Sequence, residues 1–465
     1  MTTIPSFSSR VTPVPLVTQV KDLDSVSALP EDATPASTMA VSPDGLKSMQ
    51  APLTNTVAWD SKSSDPISSL MTINYAAASS AGRLRGIGAA LLHRFESDPS
   101  DFSQSVSQPS LAGAAGAGHA YQFTLDIMTA SGIKVSVALQ TTANGLRVQV
   151  TSAGTLGDAE RGALSGLADA FQKAIDGIGN SAKLDLGGLL RYDASLLSSV
   201  DLNATVQLEG GKTQTLAFHA DSKVRSLRTN GPDGSVDVSV DLSRLAALGD
   251  DQQRKAGMDA YLQQADDAAS RGHANTALLA TFKNAFTQMV GEPSTNMAQK
   301  MAPRDLALLT GLADFSASFS ETPTTRNAVR PEEIDMFSYQ VSQNTDIGGQ
   351  SQFNRSIRQT QEKHLKASFH EPLHGNQPFS MADSMKSQSY YFRKIIEDTV
   401  SDTDISYSSG ELVRAGSEQH TSGSMTVAKY VMGILSESSE TPLDTSTKRD
   451  LMKQALAPMP GMEAH

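Results

Sequence analysis

The chain of 465 residues contains no cysteine. That excludes disulfides, thiolate zinc sites, iron–sulfur clusters and a cysteine nucleophile. The same composition suits passage through an oxidising compartment and residence in the cytosol. Aromatic residues are scarce at 5%, with a single tryptophan, Trp59. No apolar run reaches the roughly 18–20 residues that a membrane-spanning helix requires. The first twenty residues, MTTIPSFSSRVTPVPLVTQV, lack a basic segment leading into an apolar one, so no cleavable secretory signal is expected. Their uncharged Ser/Thr/Pro character fits either a cytoplasmic protein or a non-cleaved export route.

Clustered positive charge is also missing. The 38 Lys and Arg against 50 Asp and Glu give a formal net charge of -12, and the basic residues are scattered. Binding to a phosphate backbone needs basic side chains that displace counterions. Nucleic acid is therefore not an expected partner, and neither is an anionic membrane surface.

What is present reads as a folded centre with polar ends. Residues 1–64 are rich in Pro, Ser, Thr and Asp and predict a disordered N-terminal arm. Asp65-Pro66 then has the residues of a helix start, with an N-cap followed by proline at the first helical position. Leu84, Ile87, Leu91 and Phe95 continue at helical spacing. The Gly/Ala run at 111–120 predicts a flexible connection. After it the period switches to two at Tyr121–Ile127, Val135–Leu139 and Leu146–Val150, with Asn144-Gly145 as a hairpin turn. This is an antiparallel meander. An amphipathic helix follows, with Leu164, Leu167, Phe171, Ile175 and Ile178 on one stripe. Further strands at 202–208, 216–218 and 236–242 precede helices at about 251–269 and 275–290.

The expected fold is α+β: antiparallel meanders packed against amphipathic helices in a central domain at 65–300. A linker at 301–322 would lead to a polar and mostly helical C-terminal region at 323–465. Candidate helices there span about 350–369, 383–400, 426–436 and 445–456. Tyr391, Ile395 and Ile396 lie in the second. Val427, Tyr430, Val431, Ile434 and Leu435 lie in the third.

One string has the residues of an active site. His370-Glu371-Pro372-Leu373-His374 fits H-E-x-x-H, in which a helix presents two imidazoles to zinc and the glutamate polarises the bound water. Glu397, 23 residues after His374, is the candidate third ligand. Over about thirty residues the stretch is similar to the active-site arrangement of zincin metallopeptidases. That resemblance implies a zinc-dependent hydrolase with His370, His374 and Glu397 as ligands and Glu371 as base. Pro372 opposes it, because its ring disfavours helical geometry at Glu371. The competing reading is a helix C-terminus passing into a loop.

Asp402, Asp404 and Ser406 open like a calcium loop, but Tyr407 and Val413 stand where glycine and glutamate are needed. There is no P-loop string and no G-x-S-x-G. The leading expectation is a non-enzymatic protein that works through an unidentified protein partner, with no cofactor. The zinc hydrolase is the alternative.

Overall fold

The computed structural model describes residues 58–59, 65–75, 77, 79–107, 120–142, 145–178, 184–243, 245–292, 301–351, 353–374, 381 and 384–456. By internal contacts the chain divides into two units, residues 1–54 and 55–465. The first unit lies outside the described residues. So do most of the expected arm at 1–64, nearly all of the Gly/Ala run and Asn144 of the expected turn.

The second unit is organised by one antiparallel sheet. Its first half comprises β1 (Ala58–Trp59), β2 (Phe102–Ser107), β3 (Tyr121–Thr129), β4 (Lys134–Thr142), β5 (Gly145–Ser152), β6 (Leu197–Gln207), β7 (Thr213–Asp221), β8 (Val224–Gly231) and β9 (Gly234–Asp241). The second half comprises β10 (Asp314–Glu321), β11 (Thr324–Thr325), β12 (Ile334–Ser351), β13 (Asn354–Pro372), β14 (Tyr390–Ser408), β15 (Glu411–Val431) and β16 (Ile434–Asp450). The order across the sheet is β1-β2-β5-β4-β3-β6-β7-β8-β9-β10-β12-β13-β14-β15-β16, with β11 paired to β12 off this path. From β12 onward the strands run 17 to 21 residues, about twice the upper end of ordinary strand length.

Helices accompany the first two thirds of the unit. Asp65 caps α1 (Pro66–Asn74) by accepting from the backbone N–H groups of Ile67 and Ser68 at 2.8 and 2.9 Å. Next come α2 (Ser80–Arg83), α3 (Ile87–Ser97), α4 (Asp158–Gly166) and α5 (Ala168–Ile178), with α3 packed against α4 and α5. The helices α6 (Asp251–Gly272) and α7 (Thr276–Gly291) lie on the sheet around β8–β13. Their approach is close: a Cβ added at Gly272 would sit 2.6 Å from the Phe337 ring. Phe282, Phe286, Phe315, Phe319, Phe337 and Tyr339 meet there in one apolar core continuous with that of the first half. Two short helices, α8 (Pro303–Leu306) and α9 (Met452–Ala455), complete the set, so the expected linker at 301–322 holds α8 and β10. No helix among the described residues is long and apolar enough to cross a membrane.

The expected α+β fold with a helical C-terminal region is corrected by the structure: the chain is mostly one antiparallel sheet, and its helices lie mainly in the N-terminal and middle parts. The candidate helices at 350–369 and 383–400 fall largely on β13 and β14, and 426–436 is the β15–β16 turn with its flanks. The first half of 445–456 lies on β16, and the second half holds α9. The physical reason is visible on the helix-covered face of β12–β14. Gln343, Thr345, Gln359, Thr399 and Thr403 fill inward positions and are buried. Apolar alternation is therefore broken where the strands are longest, and its sequence signal disappears. These polar side chains are satisfied. Gln343 donates to the Leu312 carbonyl at 3.1 Å and accepts from Tyr261 Oη at 3.0 Å and Thr310 Oγ1 at 2.8 Å. Gln359 accepts from the Thr310 backbone N–H at 3.0 Å and donates to Thr345 Oγ1 at 3.0 Å. Buried polar groups with such partners cost little and pin the register.

Candidate interaction surface

The H-E-x-x-H string is extended backbone at the end of β13, so its side chains alternate between faces instead of sharing one. His370 lies opposite Phe392 of β14, on the face away from α6. Glu371 points the other way and accepts from Arg393 Nε at 2.6 Å. His374 is exposed two residues beyond the strand. Glu397 sits five residues along β14 from Phe392, about 16 Å at the strand rise, and on the opposite face from His370. It is buried between Arg271 of α6 and Lys363 of β13. The four residues are thus apart, each with other surroundings. No group of three or more His, Asp or Glu that could hold a metal ion occurs among the described residues.

The residues that open like a calcium loop resolve in the same way, and a Ser-His-acid contact elsewhere does not make a relay. Asp402 accepts from Thr360 Oγ1 at 2.6 Å, and Asp404 pairs with Arg358 at 2.8 Å, both along β14. Ser165 meets His93 Nδ1 at 2.9 Å and Glu96 at 3.3 Å. There the serine lies between histidine and acid, whereas a nucleophilic relay needs the histidine in the middle.

His370 instead belongs to a buried polar centre that sequence reasoning missed. Its Nδ1 lies 2.6 Å from Asp335 Oδ1, and its Nε2 lies 3.1 Å from Glu333 Oε2. Tyr390 Oη donates to the same Glu333 oxygen at 2.6 Å. Asn327 donates to Gln388 Oε1 at 3.1 Å and to Tyr390 Oη at 3.0 Å. Arg326 pairs with the outer oxygen of Asp335 at 2.7 Å. Burial and the Glu333 carboxylate push the Tyr390 and Tyr430 phenols up, which keeps both as hydrogen-bond donors. The participants come from 326–335, 388–390 and the end of β13, separations of up to 63 residues that no local motif records.

This centre supports the β15–β16 turn. Gly433 N–H donates to the Gln388 carbonyl at 2.7 Å, and Arg330 Nη2 donates to the Gly433 carbonyl at 2.7 Å. Met432 N–H donates to Ser389 Oγ at 3.0 Å. The Arg330 guanidinium also stacks on the Tyr430 ring, 4.1 Å from its centroid. Met432 and Gly433 both have positive φ, 50° and 73°, the arrangement of a type I′ hairpin. A Cβ at Gly433 would meet the Met385 carbonyl oxygen at 2.3 Å, so glycine is required there twice over.

On this fixed base stand exposed apolar side chains. Met432 is 65% exposed, Ile434 71% and Leu435 50%, with Val431 and Met385 beside them. Four apolar residues of the hairpin end, Val431 and Ile434 on one face and Leu435 on the other, together with Met385 beside Gly433, leave apolar side chains exposed around the tip, the kind of exposure that marks contact surfaces. A smaller exposed group, Ile347, Phe353 and Val413, lies at the opposite ends of these strands.

Among the described residues the outer edge of this hairpin is open as well: strand β16 pairs with β15 alone, and all its residues are exposed except half-buried Leu443. Leu451 N–H donates to the Ala415 carbonyl, which fixes the ladder phase. The odd-numbered residues 437–449 bond inward to β15, and the even-numbered residues 438–448 aim their backbone groups outward. Pro442 is one of the outward set, so its missing N–H costs the β15 ladder nothing.

Comparison with protein-family models, with curated proteins and with solved structures finds no match.

Proposed function

We propose that the protein acts as a non-enzymatic interaction module that seizes a protein partner with the tip of its β15–β16 hairpin. The observation that carries this reading is Met432. A turn residue with φ of 50° is best served by Asn, Asp or Gly, and a solvent-facing one by a polar side chain. Met432 meets neither requirement and is 65% exposed. Val431, Ile434 and Leu435 flank it with the same disregard for solvent. Sequence choices that oppose local folding rules and bring no packing gain point to function. The buried centre beneath the turn supports the reading further, since a preorganised tip loses less conformational entropy on binding.

Two substitutions separate binding from folding. Met432→Asn relieves the left-handed strain and raises stability by about 1 kcal/mol in urea unfolding. It also removes an apolar contact and weakens partner capture. Ile434→Asp leaves stability within about 0.5 kcal/mol, because the side chain is exposed, yet abolishes capture. Val413→Asp, at the far end of β15, is the matched control and binds as the unmodified chain does. Equal capture by the Ile434 and Val413 variants would contradict the proposal.

A further inference from the structure

We infer that the outer edge of β16 is the seat of a second copy of this chain, paired antiparallel about a two-fold axis through Leu443. The inference rests on the reading of this hairpin as an interaction surface and names the occupant of its edge. Two copies joined edge to edge by a two-fold axis normal to the sheet keep their faces aligned. Residues of equal parity must then lie opposite one another, so each register is centred on a residue.

The charges of β16 select among those registers. Centring on Pro442 or Thr445 sets Glu440 against Asp444 or Asp450 of the second copy, twice each. Centring on Glu440 or Asp444 sets that residue against itself. Centring on Ser439 or Thr441 forms no charge pair. Among registers aligning more than nine residues, the one centred on Leu443 alone gives opposite-charge pairs and no like-charge pair. It places Glu437 opposite Arg449 twice, Thr441 opposite Thr445 twice and Leu443 opposite itself. Facing charged and β-branched pairs are the units of sheet stabilisation.

The ladder phase agrees with this register. The outward groups of 438, 440, 442, 444, 446 and 448 would pair among themselves, giving about ten inter-copy hydrogen bonds after the loss at each Pro442. Leu443 then falls at a non-hydrogen-bonded position, where facing Cα atoms come within about 4.5 Å. At the ends of the pairing Leu435 is brought opposite Leu451 of the second copy, which covers part of the exposed apolar tip.

The absence of native cysteine makes the register directly readable. Full-length Leu443→Cys, treated with molecular oxygen and copper phenanthroline, is expected to form a disulfide-linked dimer as its main product. Facing Cα atoms at this spacing fall within disulfide range. Thr441→Cys, whose copies would lie about 13 Å apart, stays monomeric under the same treatment. Reversing one charge, Glu437→Arg or Arg449→Glu, raises the dimer dissociation constant about tenfold in analytical ultracentrifugation. Combining the two restores it. Equal cross-linking of both cysteine variants, or of neither, would overturn the inference, as would failure of the double reversal to recover association. A monomeric chain that still captures a partner through Ile434 overturns this inference while leaving the interaction reading intact.

Discussion

Replacing Glu397 with Gln is expected to lower stability by about 3 kcal/mol in equilibrium urea unfolding at neutral pH. Burial on its own would raise the pKa of this carboxyl. Hydrogen bonds and charge from Arg271 and Lys363 outweigh burial and bring it down to about 2. The contacts run from Arg271 Nη2 to Glu397 Oε1 at 3.1 Å and from Lys363 Nζ to the same oxygen at 2.9 Å, with a second, short contact from Arg271 Nη1. They tie the last turn of α6 to the middle of β13 and β14. Because the folded-state value lies below the usual glutamate range, the stabilisation is complete above about pH 4.5. It is lost as pH falls from there through about 2. The unmodified chain should therefore lose this increment on acidification, and the Gln variant should show a flatter profile over the same window. A variant as stable as the parent, with an unchanged acid profile, would remove the ion pair from the account.

The second large effect is expected at His370. Substitution by Phe keeps the ring volume but leaves Glu333 and Asp335 without the imidazole between them. Glu333 is 4% exposed and cannot turn to water for compensation. A loss of about 2 kcal/mol follows from removing one partner of each buried carboxylate, Glu333 keeping Tyr390 Oη and Asp335 keeping Arg326. Glu333 and His370 are in direct contact, so Glu333→Gln in the same chain returns part of that loss and the two substitutions couple in a double-mutant cycle. Because the centre carries the β15–β16 turn through Gln388 and Arg330, amide exchange at Met432 and Gly433 should accelerate in the His370 variant. Strictly additive effects, or an unchanged turn, would show that the centre does not support the tip.

The first half of the fold was legible because its residues obey local rules. The alternation at Tyr121–Ile127 and the stripe through Phe171 and Ile175 appear as β3 and α5, with Phe123, Leu125, Ile127, Phe171 and Ile175 buried and Tyr121 half-buried. Strand β8 was missed because Arg225 and Thr229 occupy buried positions in it. The long C-terminal strands failed as a group for a related reason. Their inward face carries Gln343, Gln359, Thr399, Thr403 and Glu397, which owe their burial to partners distant in sequence. Tyr391, Ile395 and Ile396 mimic a helical spacing, yet Ile396 points away from the other two. The apolar string Tyr430 to Leu435 was visible, but as a helix stripe. Only the register of β15 with β16 shows that Tyr430 is buried and its neighbours are presented to solvent. His370 was singled out as a metal ligand, and its actual neighbours, Glu333 and Asp335, lie on the preceding segment and β12.

The most direct test of the hairpin as an interaction surface is site-specific photo-cross-linking of the full-length protein in its native cells. A benzophenone side chain at position 434 is compared with one at position 353, an equally exposed apolar site at the other end of the long strands. The account predicts a discrete cross-linked species from position 434 that is reduced when Met432→Asn is added, and none from position 353. Discrete products from position 353 alone, or none from either position, would contradict it.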